Sequence, residues 1–295
     1  MRVVREHAKL SERRACRLIG MNRGSWRYRG RKRDETALRA RLRELAAGRP
    51  RFGHRRLYIF LRREKTAEGA LRWRVNHKRV YRLYREEWVA MQRKRRKRFR
   101  AEARVLLALP TRANEMWTMD YTHDELAGGR KFRTLNLMDG YTREALRIEP
   151  DTSLPGLRVV GVLEELRERR GTPAAIQVDN GTEFTSRAVD QWAYQNQMAL
   201  HFIERGKATH DVFIESFNGK FRDDCLNQNW FVDLRQAREV IEAWRVDYNT
   251  VRPHSSLRYL TPEEFAATVA ARPASPPTPV VSLALAWAGS DVQEL

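Results

Sequence analysis

Residues 93–100 read RKRRKRFR, seven positive charges in eight positions. Such a run repels itself and offers nothing to bury, so no hydrophobic core can pass through it. A chain of 295 residues has the length of about two domains, and this run divides it. We expect a basic helical region over 1–92, a basic linker over 93–110, a second folded core over 111–270 and a disordered tail over 271–295. The tail opens Pro-rich, ASPPTP, and its later apolar residues have no clear partner.

Charge separates the same two parts. Residues 1–100 hold 35 Lys and Arg against 9 Asp and Glu, while the remainder holds 22 against 28. A net +26 segment joined to a net −6 segment, +20 overall, points to a polyanionic partner for the first and a need for carboxylates in the second. The two cysteines, Cys16 and Cys225, cannot build a disulfide framework or a cysteine zinc cluster, which fits a reducing cytosol. The start, MRVVREHAKLSERR, lacks the apolar segment of a signal peptide, and no run approaches the ~18 apolar residues of a membrane span.

In the first part, SERRACRLIGMNRGSWRY reads as a helix capped by Ser11, with Ala15, Leu18 and Ile19 as its stripe, a stop at Gly20 and a second start. Further helices are expected over 35–47, inward on Leu38, Leu42 and Leu45, over 53–64, and after Asn76. The last turns Val80, Leu83 and Tyr84 inward and Lys78, Arg79, Arg82 and Arg85 outward. Short basic helices joined by tight turns suit a helix-turn-helix DNA binder. A helical bundle with a solvated basic face has the same pattern. The linker, Arg95 and Arg96 included, would track DNA phosphates or simply be solvated.

From residue 115 the period changes. MWTMDYTHDEL alternates as a strand, KFRTLNLMDGYT follows a Gly128-Gly129 turn, and EALRIEPD is a third strand. A helix over 154–170 follows, with Val159, Val160, Leu163 and Leu166 on its stripe. Next come a strand over 174–178, a helix over 186–198, the short strand LHFIE, and helices over 211–227 and 233–248. This order predicts an α/β fold with a mixed five-stranded sheet.

Three carboxylates stand out. Asp120 lies in the first of these strands, Asp179 ends the fourth within IQVDNGTEF, and Glu215, separated from Asp179 by thirty-five residues, lies in a helix. Asp-Asn-Gly alone is also an ordinary turn. On the helix, Phe213, Phe217 and Phe221 form an apolar ridge, while Glu215, Asn218, Gly219 and Arg222 share a second, polar face with Lys220 nearby. Carboxylates from two strands and a helix suit two Mg²⁺ ions, which favour oxygen ligands and assist in-line phosphoryl displacement. With 37 acids, spacing alone carries little weight; the surrounding residues must carry it. Trp117, Trp192, Trp230 and Trp244 are expected in the core.

Taken together, WTMDYT, VDNGTEF, GKATHDVFIESFNGKFRDDCLN and YNTVRPHSSLRYLTPEEF resemble the DDE transposases of bacterial insertion sequences, specifically the second reading frame, OrfB, of the IS-three family, which is related to retroviral integrases. Four motifs in order make the likeness specific, and it runs from about Ser11 to Phe265. Departures are Ala208, His210-Asp211 and Gly140, the last standing where an acid is common. The resemblance implies an RNase H-like core, a helix-turn-helix before it, and Asp120, Asp179 and Glu215 as the catalytic, metal-binding triad. Arg222 then stands at the family's basic position, and DNA contacts would come from Arg222, Lys220, Asn218, Lys78, Arg79, Arg82, Arg95 and Arg96.

It further implies two Mg²⁺ ions, replaceable by Mn²⁺, and DNA cleavage followed by strand transfer at element ends, with a circular intermediate; His7, His54, His77 and Cys16 do not make the paired-His, paired-Cys site of retroviral integrases, so no zinc is expected. The partners would be double-stranded DNA, other copies of the chain assembled on it, and the upstream-frame product OrfA, whose leucine zipper this sequence lacks. The place of action would be the bacterial cytoplasm, at the nucleoid. Two other readings stay open: a DNA-binding regulator with an inactive core, and an RNase H-like nuclease that only hydrolyses. YNTVRPHSSL is expected to pack against the core rather than react.

Overall fold

The computed structural model describes residues 10–28, 34–87, 109–178, 186–202 and 212–271. The expected linker, except its last two residues, and all but the first residue of the expected tail lie outside them. The chain divides into two compact units, within Met1–Gln92 and Arg93–Leu295.

The first unit is helical: α1 Glu12–Leu18, α2 Arg23–Arg27, α3 Thr36–Gly48, α4 His54–Arg63 and α5 His77–Glu86. Leu38, Leu42, Phe52, Leu57, Leu61, Val80, Leu83 and Tyr84 form the core of α3–α5. Leu38, Leu42, Val80, Leu83 and Tyr84 are positions read inward from the helical period; Phe52, Leu57 and Leu61 join them, and Leu45 is only partly buried. Asn76 caps α5 by accepting from the Arg79 N–H at 2.8 Å. Three expectations need correction. Ser11 occupies the N-cap position without a side-chain cap bond. Leu18 and Ile19 are exposed, at 70% and 39%, and Cys16 is buried instead. The link from α4 to α5 is no tight turn: residues 64–76 form a loop with a β-bridge between Lys65 and Leu71, tied down by the Trp73 indole N–H donating to Glu64 at 2.7 Å.

The second unit contains β1 Met116–Glu125, β2 Lys131–Asp139, β3 Ala145–Asp151, α6 Gly156–Arg170, β4 Ala175–Val178, α7 Arg187–Gln195, β5 Ala199–Phe202, α8 Val212–Asp224, α9 Leu234–Thr250 and α10 Pro262–Ala270. The strands form one sheet in the order β3-β2-β1-β4-β5. The first three are antiparallel neighbours, and β4 runs parallel to both β1 and β5. The mixed five-stranded α/β fold expected from the element order is therefore present.

Alternation along β1 and β2 sends side chains to two cores. Trp117, Met119, Leu135 and Leu137 pack on one face with Val159, Val162, Leu163 and Leu166 of α6 and Val189 and Trp192 of α7. Val162 joins the stripe, and Val160 is only partly buried. Phe132, Met138 and Ile148 pack on the other face with Ile214, Phe217 and Phe221 of α8 and Ala237, Ile241 and Tyr248 of α9. Trp230, expected inside, is 79% exposed. Gly140 has a steric reason: a Cβ there would stand 3.0 Å from the Met116 carbonyl oxygen, so an acid would push on the start of β1.

The YNTVRPHSSL segment packs inward, with Tyr248, Arg252 and His254 buried. Asn249 works as a substitute strand neighbour for β3, which lies at the edge of the sheet. Its Oδ1 accepts from the Ala145 N–H at 2.8 Å and its Nδ2 donates to the Ala145 carbonyl at 3.0 Å. Asn249→Ala leaves the Ala145 N–H without this acceptor, while the carbonyl still accepts from Arg245 at 2.8 Å, and we expect a stability loss of about 1–3 kcal/mol. Urea unfolding, with faster amide exchange at Ala145, checks it.

Candidate active site

β1 is the middle strand, so its side chains are flanked on both sides. Asp120 sits half-buried on the face covered by α8. Its Oδ1 accepts from the Tyr121 N–H at 2.7 Å, and its Oδ2 accepts from the Asn218 side-chain amide at 2.5 Å. Asn218 is on α8, three residues after Glu215, so the two share one helix face. Glu215 is exposed, with no hydrogen-bond or ion-pair partner among the described residues.

The helix is held from three sides. Phe217 meets Tyr248 edge-on at 5.0 Å between centroids, and Phe221 meets Trp244 at 5.1 Å. Near the N-terminal end of the helix, the Arg143 guanidinium lies 3.2 Å from the Phe213 ring centroid. At the other end, Asp224 pairs with Arg252.

Asp179 lies outside the described residues. Val178, which precedes it, pairs in register with Met119, which precedes Asp120. Among the described residues no three metal-binding side chains cluster; two of the expected three carboxylates are described. Those two present hard oxygen atoms, the donor chemistry that Mg²⁺ takes. Sulfur is not offered: Cys225 is buried, and burial, followed by nearby Asp124 and Asp224, pushes its thiol up to about 12.

The expected DNA-contact residues divide. Arg222 is exposed, Lys220 half-buried and Lys78 exposed. Asn218 is turned to Asp120 and the sheet rather than outward. Arg79 and Arg82 both donate to Glu35, at 2.9 and 2.7 Å, and Arg82 also to Glu86 at 2.8 Å. Glu86 and Glu87 in turn hold Arg39, so this part of α5 is engaged with α3. Arg95 and Arg96 lie outside the described residues.

Sequence reasoning missed Asn136. It lies on β2, opposite Asp120 in the register, and is fully buried. With Thr118, Thr122 and Thr134, also buried, it forms a polar stripe beneath α8. The available signal was the alternation TMDYT on β1 and TLN on β2, which looks the same as a solvent-facing stripe until a helix covers it.

A mixed sheet of this order, with a carboxylate on its middle strand and another on the helix crossing it, defines an integrase-type catalytic core. Residues 110–208 and 196–262 each match a family described as "Integrase core domain". The chain is 48% identical over 268 residues to the insertion element IS407 uncharacterized 31.7 kDa protein of Burkholderia multivorans, covering 90% of this chain and 94% of that one. It is 26% identical over 245 residues to the transposase InsD of insertion element IS2 of Escherichia coli, covering 80% of each. The chain belongs to the DDE transposases of bacterial insertion sequences, and the likeness to InsD fits the IS-three family. The fold is also similar to a chain of the simian T-cell lymphotropic virus intasome solved with the PP2A regulatory subunit B56 gamma. That match has a TM-score of 0.50 and 13% identity and covers 81% of this chain and 79% of that one.

Proposed function

We infer that the chain is a DNA transposase, a polynucleotidyl transferase that frees a 3′-OH at an element end and joins it to another phosphodiester. The observation that carries this reading is Asp120 on the middle strand, hydrogen-bonded to the helix face that also bears Glu215. In cleavage, a water oxygen forms a bond to phosphorus and the bond to the 3′ oxygen breaks. In joining, the freed 3′ oxygen forms the new bond and another P–O3′ bond breaks. One phosphodiester is exchanged for another, so no nucleotide cofactor is required.

Asp120, Asp179 and Glu215 would hold two Mg²⁺ ions, with Mn²⁺ able to replace them. Asp179 follows Val178 by one peptide bond, about 3.8 Å between Cα atoms, and β1 and β4 are adjacent at about 4.8 Å. When bound, the ions would supply charge neutralisation at the attacking and leaving oxygens. The chain's own contribution is to hold the Asp120 carboxylate against the Tyr121 and Asn218 N–H donors, with Glu215 unpaired by any cation among the described residues. Calorimetric titration with Mn²⁺ tests this: the wild-type chain binds it and Asp120→Asn does not. Equal binding by both would remove Asp120 from the metal site.

The basic first unit is read as the DNA-binding part, of helix-turn-helix type, with Lys78 on the exposed side of α5. Assembly of several copies on DNA, partnership with an upstream-frame product and action at the bacterial nucleoid complete the reading. Without that product, the chain is expected to bind DNA with weak sequence preference and to join ends poorly. On α8, Arg222 faces solvent with no partner among the described residues, as a phosphate contact requires. Arg222→Ala should lower the slope of log affinity against log salt by about one. Filter binding across salt concentrations measures it, and an unchanged slope with full activity would make Arg222 a surface cation only.

A further inference from the structure

We propose that Asn136 is a positioning residue: through Asn218 it fixes which way the Asp120 carboxylate is presented to metal. Five side chains form a directional network of hydrogen bonds. The Thr134 hydroxyl donates to Asn136 Oδ1 at 2.9 Å. Asn136 Nδ2 donates to Thr122 Oγ1 at 2.9 Å and to Asn218 Oδ1 at 2.8 Å. Asn218 Nδ2 then donates to Asp120 Oδ2 at 2.5 Å.

The direction matters because an amide has a donor end and an acceptor end. Asn218 can offer an N–H to Asp120 only if its oxygen points to a donor on the other side. Asn136 is that donor, and both of its N–H groups are used. Its own orientation follows from Thr134, whose hydroxyl meets the Asn136 oxygen. Turning Asn218 around would set its oxygen against a carboxylate and leave one N–H of Asn136, which is fully buried, without an acceptor. Asn136 is fully buried and Thr134 is 1% exposed, and no polar side-chain atom of Thr122, Thr134, Asn136 or Asn218 lacks a partner. A satisfied buried network of this kind holds one arrangement. It also gives Asn136 and two of the three buried threonines on this sheet face a common purpose beside Asp120. Asn136 touches no reacting atom; it acts on the carboxylate through the helix that carries Glu215.

The inference rests on the reading of Asp120 as a metal ligand, and the experiment separates the two. The probe is Mn²⁺, titrated calorimetrically into the full chain, with melting temperature and metal-free DNA affinity measured alongside. Asn136→Asp keeps the shape and replaces a donor by an acceptor, which should turn the Asn218 amide and set its oxygen toward Asp120. We expect Mn²⁺ affinity to fall about 10–100-fold, the usual cost of losing a partner behind a metal ligand, with metal-free DNA affinity unchanged. Asn136→Leu removes the donor without adding an acceptor and should lose less metal affinity, whatever its melting temperature. Thr134→Val, nearly isosteric and still folded if Asn136→Asp is not, should show a smaller loss in the same direction.

Mn²⁺ affinity unchanged in folded Asn136→Asp or Thr134→Val, while Asp120→Asn abolishes binding, would overturn the role of Asn136 alone. Losses that track melting temperature across the variants, rather than the charge facing Asn218, would overturn it too. Unchanged binding by Asp120→Asn would instead remove the metal reading beneath it.

Discussion

Replacing Asp179 by Asn is expected to abolish both end cleavage and strand joining while leaving DNA affinity within about twofold. The substitution keeps size and removes one anionic oxygen, and loss of a group that stabilises developing charge costs about 10²–10³ or more in rate. The effect should fall on both reactions equally, because hydrolysis and joining attack phosphorus in the same way and differ only in whether water or a 3′-OH is the nucleophile. DNA binding should be spared because the positive charge that attracts DNA is concentrated in the first hundred residues. Gel-shift titration and cleavage of an end-bearing duplex, run on one preparation, give the two readouts. Retained joining by the Asn variant would remove Asp179 from the triad.

Arg252→Ala should give the largest loss of stability. Arg252 and Asp224 form an ion pair whose side chains are 4% and 10% exposed. Removing one partner strands a buried charge, at a cost of about 3–5 kcal/mol. For a unit of this size that lowers Tm by roughly 10 °C. The pair ties the end of α8 to the segment after α9, so the loss also loosens the helix that carries Glu215 and Asn218. Replacing both partners by apolar residues of similar volume should cost less than the single change, because no charge is left alone. Thermal unfolding of the single and double variants checks this. A loss below about 1 kcal/mol in Arg252→Ala would mean that water reaches the pair.

Much of this architecture was legible before any coordinates. The change from helical to alternating period placed all five strands, and the α8 ridge of Phe217 and Phe221 faces the core as read. Strand order was not legible, since pairing β1 with β4 joins residues some sixty positions apart and no local pattern encodes such a choice. Trp230 was misplaced because residue type, not periodicity, put it inside. Leu18 and Ile19 failed for another reason: the helix has only seven residues and ends at Leu18, so its stripe does not extend that far. Helix α10 was overlooked although its start was written plainly: Thr261 and Glu264 form a capping box with Pro262 at the first position. For the site, the motifs singled out Asp120, Asp179 and Glu215, and the helical period put Glu215 and Asn218 on one face of α8. What Asn218 does was not legible. Its partners are on β1 and β2, and only the packing of α8 on the sheet reveals them.

Strand transfer of a pre-cut element end by the wild-type chain, together with its upstream-frame product, tests the central claim most directly. With Mg²⁺ or Mn²⁺ present, the predicted result is a covalently joined product that disappears on chelation and on Asp120→Asn. Hydrolysis without any joined product would contradict the account in favour of a nuclease. Binding to the ends with neither product would contradict it in favour of a regulator with an inactive core.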